Sequence, residues 1–165
     1  MLFDGKPTTG SDIWALACTM FELRAGIQLF ASFFDTEDEI IRQIVQAFGK
    51  LPEPWWSAWK KRPIYFDDEG KPNQVWPNNI RLAIEYPLEA QIRDIGAEDE
   101  NSGNQALEEL DRRHQYIFES PGTRLSPAEA ADFKDLLEKM LRYRHGDRIQ
   151  LEEIRKHAWL SNVYQ

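Results

Sequence analysis

The chain has 165 residues, 42% apolar and 29% charged, with 28 acidic against 20 basic side chains for a net charge of −8. That length suits one domain burying roughly 70% of its unfolded surface, and the acidic balance argues against a nucleic-acid surface, which needs clustered Lys and Arg. The single Cys18 excludes an intramolecular disulfide.

In chain order, the first predicted element is a helix over residues 11–23. It is apolar almost all round: Ile13, Trp14, Leu16, Cys18, Met20, Phe21 and Leu23 are interrupted only by Asp12, Thr19 and Glu22. A helix apolar on every face must be surrounded by protein, and about 13 residues fall short of the roughly 20 that span a bilayer. The helix is therefore expected to be the central pillar of a globular core, with Cys18 a buried structural thiol. So little sequence precedes it that the chain is expected to be part of something larger.

Thr36-Glu37-Asp38-Glu39 fits a capping box opening a second helix, over residues 36–48. Ile40, Ile41, Ile44, Val45 and Phe48 follow at helical spacing, and Gly49 supplies the stop. From residue 51 to 77 the pattern changes, with Trp55, Trp56, Trp59 and Trp76 set among five prolines. This stretch is predicted to be irregular, with a hairpin-like turn over residues 65–71. Residues 78–122 hold two weaker helical patterns, at 88–95 and 107–118, separated by a polar break at 97–104; the region is predicted to be a surface insertion. Ser126-Pro127-Ala128-Glu129 is a second capping box, with Pro at the first helical position. Ala130, Phe133, Leu137, Met140 and Leu141 then mark a core-facing stripe, and a short last helix at 151–156 leads to Trp159. No repeat is evident. The predicted fold is all-α with an irregular middle.

Enzymatic constellations are thin. The nine Gly are scattered singly, so there is no phosphate-cradling loop. His114, His145 and His157 lack metal-ligand spacing with one another or with Cys18 and are assigned to surface or capping roles. Pairs such as Asp67/Asp68 and Glu108/Glu109 lie in polar runs and are read as solvated. No leader of charged then apolar residues opens the chain, so cytoplasm or nucleus is the expected compartment. The acidic charge is compatible with a basic protein or peptide partner.

Three segments, in order, resemble a known family. Ser11-Asp12-Ile13-Trp14-Ala15-Leu16-Ala17-Cys18 is similar to the Asp-x-Trp segment opening helix F of eukaryotic protein kinases. Leu136-Leu137-Glu138-Lys139-Met140-Leu141 and Asp147-Arg148-Ile149 resemble the stretch holding the arginine of the H–I loop. His157-Ala158-Trp159-Leu160 resembles the closing His-Pro-Trp segment. The middle looks most like the kinases of Ser-Arg-rich splicing factors, on Phe21-Glu22-Leu23, Leu29-Phe30, Gly49-Lys50-Leu51-Pro52 and the insertion before helix H. The departures are Arg144 and His145 in place of the usual Asp-Pro, and Ala158 in place of Pro.

The resemblance implies a mainly α, kinase-like C-terminal lobe over residues 1–165, helices F to I, with the insertion at 78–122 before helix H. Asp12 matches the helix F acid that accepts hydrogen bonds from the catalytic loop, although an Asp at a helix start is also a good cap. Trp14 and Trp159 match structural core positions. Arg148 matches the arginine that pairs with the Glu of the Ala-Pro-Glu motif. That Glu would fall immediately before Met1, so Arg148 is expected to be uncompensated and the isolated chain marginally stable, with an exposed apolar patch.

Phosphoryl transfer needs a Gly-rich loop, a strand lysine, the His-Arg-Asp loop and the Asp-Phe-Gly metal ligand. None of these strings occurs in the 165 residues. The N-lobe and catalytic loop are absent, and no catalytic, cofactor-binding or metal residue is assigned; ATP and Mg²⁺ belong to the full-length family. The chain alone is expected to be inactive. The alternative is a non-catalytic helical peptide-binding module or pseudokinase fragment. In the splicing-factor kinases, acids in and before helix G hold an Arg-rich substrate. Here Glu39 keeps the acid, Gln46 and Ile27 stand where acids are expected, and Arg42 adds positive charge. Glu39 also suits a capping-box carboxylate. Asp35, Glu37 and Asp38 complete a diffuse acidic patch suited to weak, salt-sensitive attraction of a basic Arg/Ser-rich partner. The missing kinase N-lobe is the other expected partner; nucleic acid and membrane are not expected.

Overall fold

The computed structural model describes residues 8–31, 36–73, 82–96 and 124–162. Among them the secondary structure is helical, with one isolated β-bridge and no strand. They fall into two units, residues 36–73 with 82–90, and residues 8–31 with 91–96 and 124–162.

In the second of these units the first helix, α1, runs Thr9–Ala25, two residues earlier than the sequence suggests. Its cap is Thr8, not Asp12. The Ser11 N–H donates to the Thr8 hydroxyl at 3.3 Å and the Thr8 N–H donates to Ser11 Oγ at 3.2 Å, a reciprocal pair satisfying two free donors. Gly26, at φ +75°, ends the helix with its N–H on the Glu22 carbonyl. Only the row Ile13, Ala17, Phe21 and Ala25 is buried. The expectation of a helix covered on every face is corrected, since Leu16 is 37% and Leu23 72% exposed. Spacing by four places one row against one neighbour, and the small Ala17 and Ala25 in it let that neighbour approach.

The neighbour is helix Pro127–Met140. Ser126 caps it, accepting from the Glu129 N–H at 3.2 Å, with Pro127 at the first helical position. The other half of the predicted capping box does not form. The Glu129 carboxylate instead takes both Arg24 Nε and Nη2, at 2.7 and 3.1 Å, because a two-pronged charged pair outweighs one backbone N–H. Phe133, Leu136, Leu137, Met140 and Leu141 are buried. Phe133 stacks on Phe21 at 6.4 Å and on Trp159 at 4.6 Å, so it is the centre of this core. The predicted last helix is two pieces, Leu151–Ile154 and Ala158–Asn162. The second starts where His157 Nδ1 accepts the Trp159 N–H at 3.3 Å, while Nε2 faces Asp135 at 2.8 Å.

In the other unit, helix α2 runs Glu37–Phe48, buries Ile41, Ile44, Val45 and Ala47, and ends at Gly49, φ +80°. Thr36 holds the cap position, but no side-chain cap bond forms, which corrects the first capping box. Two one-turn helices follow, α3 over Trp55–Ala58 and α4 over Arg62–Tyr65. Trp56, Trp59, Tyr65 and Phe66 pack edge-on, tilted or stacked at 5.7–6.5 Å. The hairpin-like turn is present: Phe66 bridges Pro72, and Asp67 Oδ1 accepts the N–H groups of Glu69 and Lys71. Gly70 inside it has φ +85°, and a Cβ there would lie 2.9 Å from Lys50 Cβ, so no other residue fits without displacement. Leu88–Arg93 forms α5, within the predicted 88–95 pattern; its residues 88–90 belong to this unit and 91–93 to the second, and Leu88, Ile92 and Ile95 are buried. The predicted helix at 107–118, the break at 97–104 and most of the 78–122 insertion lie outside the described residues, as do Trp76 and His114.

Candidate functional site

Arg148 is the most heavily partnered of the singled-out residues. It follows a 3-10 turn, His145–Asp147, and donates from Nε to the Arg142 carbonyl at 2.7 Å, from Nη1 to the Gly10 carbonyl and from Nη2 to the Tyr143 carbonyl at 3.2 Å. Its guanidinium carbon lies 4.9 Å from the centre of the Trp14 ring, and Trp14 stacks on Phe30 at 5.9 Å. The expectation of an uncompensated charge is therefore corrected. A guanidinium has five donors in a rigid fork, and three carbonyls plus an aromatic face satisfy it well. The node fastens the start of α1 to the 3-10 turn so closely that a Cβ on Gly10 would lie 2.7 Å from His145 Cβ.

Asp12 is exposed in the first turn of α1, where a negative charge is favoured by the helix dipole. Trp159 is buried against Phe133. Cys18 is half-buried, and its thiol is pushed up to about 11, first by burial and then by the nearby Glu22 charge. It is a thiol rather than a nucleophilic thiolate at neutral pH. Burial also pushes the Tyr143 hydroxyl well above its ordinary value.

The acidic first turn of α2 is in the other unit. Glu37 is exposed, and Glu39 is half-buried. Asp35 lies outside the described residues. Asp38 is spent internally: Oδ1 accepts the Trp59 indole N–H at 2.8 Å, and Oδ2 pairs with Lys61 Nζ at 2.6 Å. The Lys61 bond, with help from Trp59, holds the Asp38 carboxyl below its usual range, and Asp38 in turn raises Lys61. Arg42 is half-buried, donates to Gln46 Oε1 and is lowered chiefly by burial, with Glu39 and Tyr65 opposing. The neighbouring Trp56 lies under two cations, with Lys50 Nζ at 5.4 Å and the Arg62 guanidinium at 5.0 Å from its ring centre.

Sequence reasoning missed Gly10, Trp59 and Lys61 as partners of the singled-out residues. Carbonyl acceptors carry no residue-type signal, and a lysine 23 positions after Asp38 has none either. Among the described residues, no three or more His, Cys, Asp or Glu side chains are grouped to hold a metal, and no helix is long and apolar enough to cross a membrane.

No family model matches the chain. Curated proteins similar to it are all named as serine/threonine-protein kinases. A probable serine/threonine-protein kinase sky1 of Dictyostelium discoideum is 25% identical over 159 residues, covering 94% of this chain and 20% of that protein. Serine/threonine-protein kinase ppk5 of Schizosaccharomyces pombe is 32% identical over 73 residues, covering 44% of this chain and 8% of its own. Serine/threonine-protein kinase SRPK of Physarum polycephalum is 30% identical over 70 residues, covering 40% and 16%. This chain spans a fifth or less of each of those proteins. It is related to serine/threonine-protein kinases. Within them, the relationship is to the SRPK type.

Proposed function

We propose that these residues form the C-terminal-lobe portion of a protein serine/threonine kinase of the splicing-factor-kinase type. The observation that carries this reading is the match to the Dictyostelium discoideum kinase along 94% of the chain. The packing of α1 through Phe21 onto Phe133, and the Arg148 node at its start, support assigning α1 to helix F, α2 to helix G, Pro127–Met140 to helix H and the last two short helices to helix I.

The family reaction is ATP-dependent phosphorylation of Ser in Arg/Ser-rich proteins. ATP and Mg²⁺ would be held by parts of a kinase domain that these 165 residues do not contain, so this stretch by itself positions no γ-phosphate. Its contribution is support beneath the catalytic loop, through Asp12, and an acidic face at Glu37, Asp38 and Glu39, with Asp35, that attracts an Arg/Ser-rich protein weakly and in a salt-dependent way. Cytoplasm or nucleus is the proposed compartment.

The test is a transplant. The segment of the Dictyostelium discoideum kinase that matches this chain is replaced by it, and the purified chimera is given labelled ATP and an arginine–serine repeat protein. Incorporation well above background, lost with Asp12→Ala, is expected; the 165 residues alone should give background. A folded chimera without activity would leave only a binding module, and activity in the 165 residues alone would overturn the division of labour.

A further inference from the structure

Both oxygens of Asp38 are occupied from within the chain, by different kinds of donor. The Trp59 indole is part of a buried aromatic cluster, so its N–H fixes the carboxylate in one rotamer. Lys61 is different: its side chain is 57% exposed, and a lysine stem is long and flexible. Its ammonium therefore sits on a pre-oriented oxygen that a solvent-borne cation can also reach.

We infer that Lys61 is a built-in competitor for the acidic face of α2, occupying the Asp38 Oδ2 position that an arginine side chain of a bound peptide would take. This rests on the docking reading above. Because Trp59 keeps Oδ1, an incoming guanidinium gains a single-pronged contact with Asp38, after displacing an ammonium already there. The lysine thus sets the strength of attraction without contributing to it, and neutralising it exposes an oriented acceptor.

An arginine–serine repeat peptide titrated into the 165-residue protein, at low and physiological salt, tests this. Lys61→Met should bind about two- to fivefold more tightly at low salt, the range an exposed ion pair allows. Lys61→Arg should behave as the parent chain, and Asp38→Asn in the Lys61→Met background should erase the gain. Should Asp38→Asn disturb folding, the Trp59 indole N–H observed by NMR replaces it. That resonance should move on peptide addition in Lys61→Met, and stay still with a peptide whose arginines are citrulline. Unchanged affinity in Lys61→Met, with binding otherwise present, overturns the competitor and leaves the docking reading standing. No binding by any form at low salt overturns both.

Discussion

The two units solve the same problem with different materials. Around Phe133, helices of 17 and 14 residues meet along apolar rows and are fastened at their starts by caps and by an arginine on backbone carbonyls. Around Trp56 and Trp59, the helices after α2 are one turn long, and aromatic rings, cations and a carboxylate–indole bond hold the chain. Single-turn helices bring little stability of their own. Order there comes from side chains, which makes it the more chemically addressable unit.

The largest effect that sharpens this contrast is Phe133→Ala. The ring is fully buried between Phe21 and Trp159, so its removal should cost about 3–5 kcal/mol, read as a lowered midpoint in denaturant unfolding. Next comes Arg148→Ala, expected to cost about 2–3 kcal/mol by stranding carbonyls and exposing Trp14; Arg148→Lys should recover little of it, since an ammonium lacks the fork. In the aromatic unit, Trp59→Phe keeps most of the ring contact and loses the bond to Asp38, for about 1 kcal/mol. A loss as large as that for Phe133→Ala would show that the rings matter there less than the polar clamp.

The pH dependence should follow the carboxylates. Arg24 holds the Glu129 carboxyl below its ordinary value, so the pair stabilises the fold above the unfolded-state pKa, about 4.3, and that contribution is lost as pH falls through the lower folded value. Thermal melts from pH 6 downward should lose about 1 kcal/mol to this pair, and Arg24→Met should flatten that part of the profile. The smallest contrast is at the caps. Ser126→Ala should cost about 1 kcal/mol, whereas Thr36→Ala, whose side chain makes no cap bond, should cost a few tenths.

Much of the helical framework was legible. Helices α2 and Pro127–Met140 start within a residue of where the sequence puts them and bury Ile41, Ile44, Val45, Phe133, Leu137 and Met140 as the spacing suggests, although neither capping box forms in full. The start of α1 was not, because Thr8, Thr9 and Gly10 carry no apolar period and the eye stops at Asp12. Nor were the partners of polar residues. Glu129 and Asp38 both head for distant cations rather than nearby N–H groups, a choice fixed only when remote segments meet. Arg148 stood out in the sequence, but its three carbonyl partners belong to the backbone and have no letter of their own.

The junction before the last helix has a consequence of its own. For the Trp159 N–H to reach His157 Nδ1, that nitrogen must offer a lone pair, so the ring proton resides on Nε2 and is directed at Asp135. One uncharged imidazole thus serves two elements at once, receiving a peptide N–H at the head of the final helix and handing its own N–H to a carboxylate on Pro127–Met140.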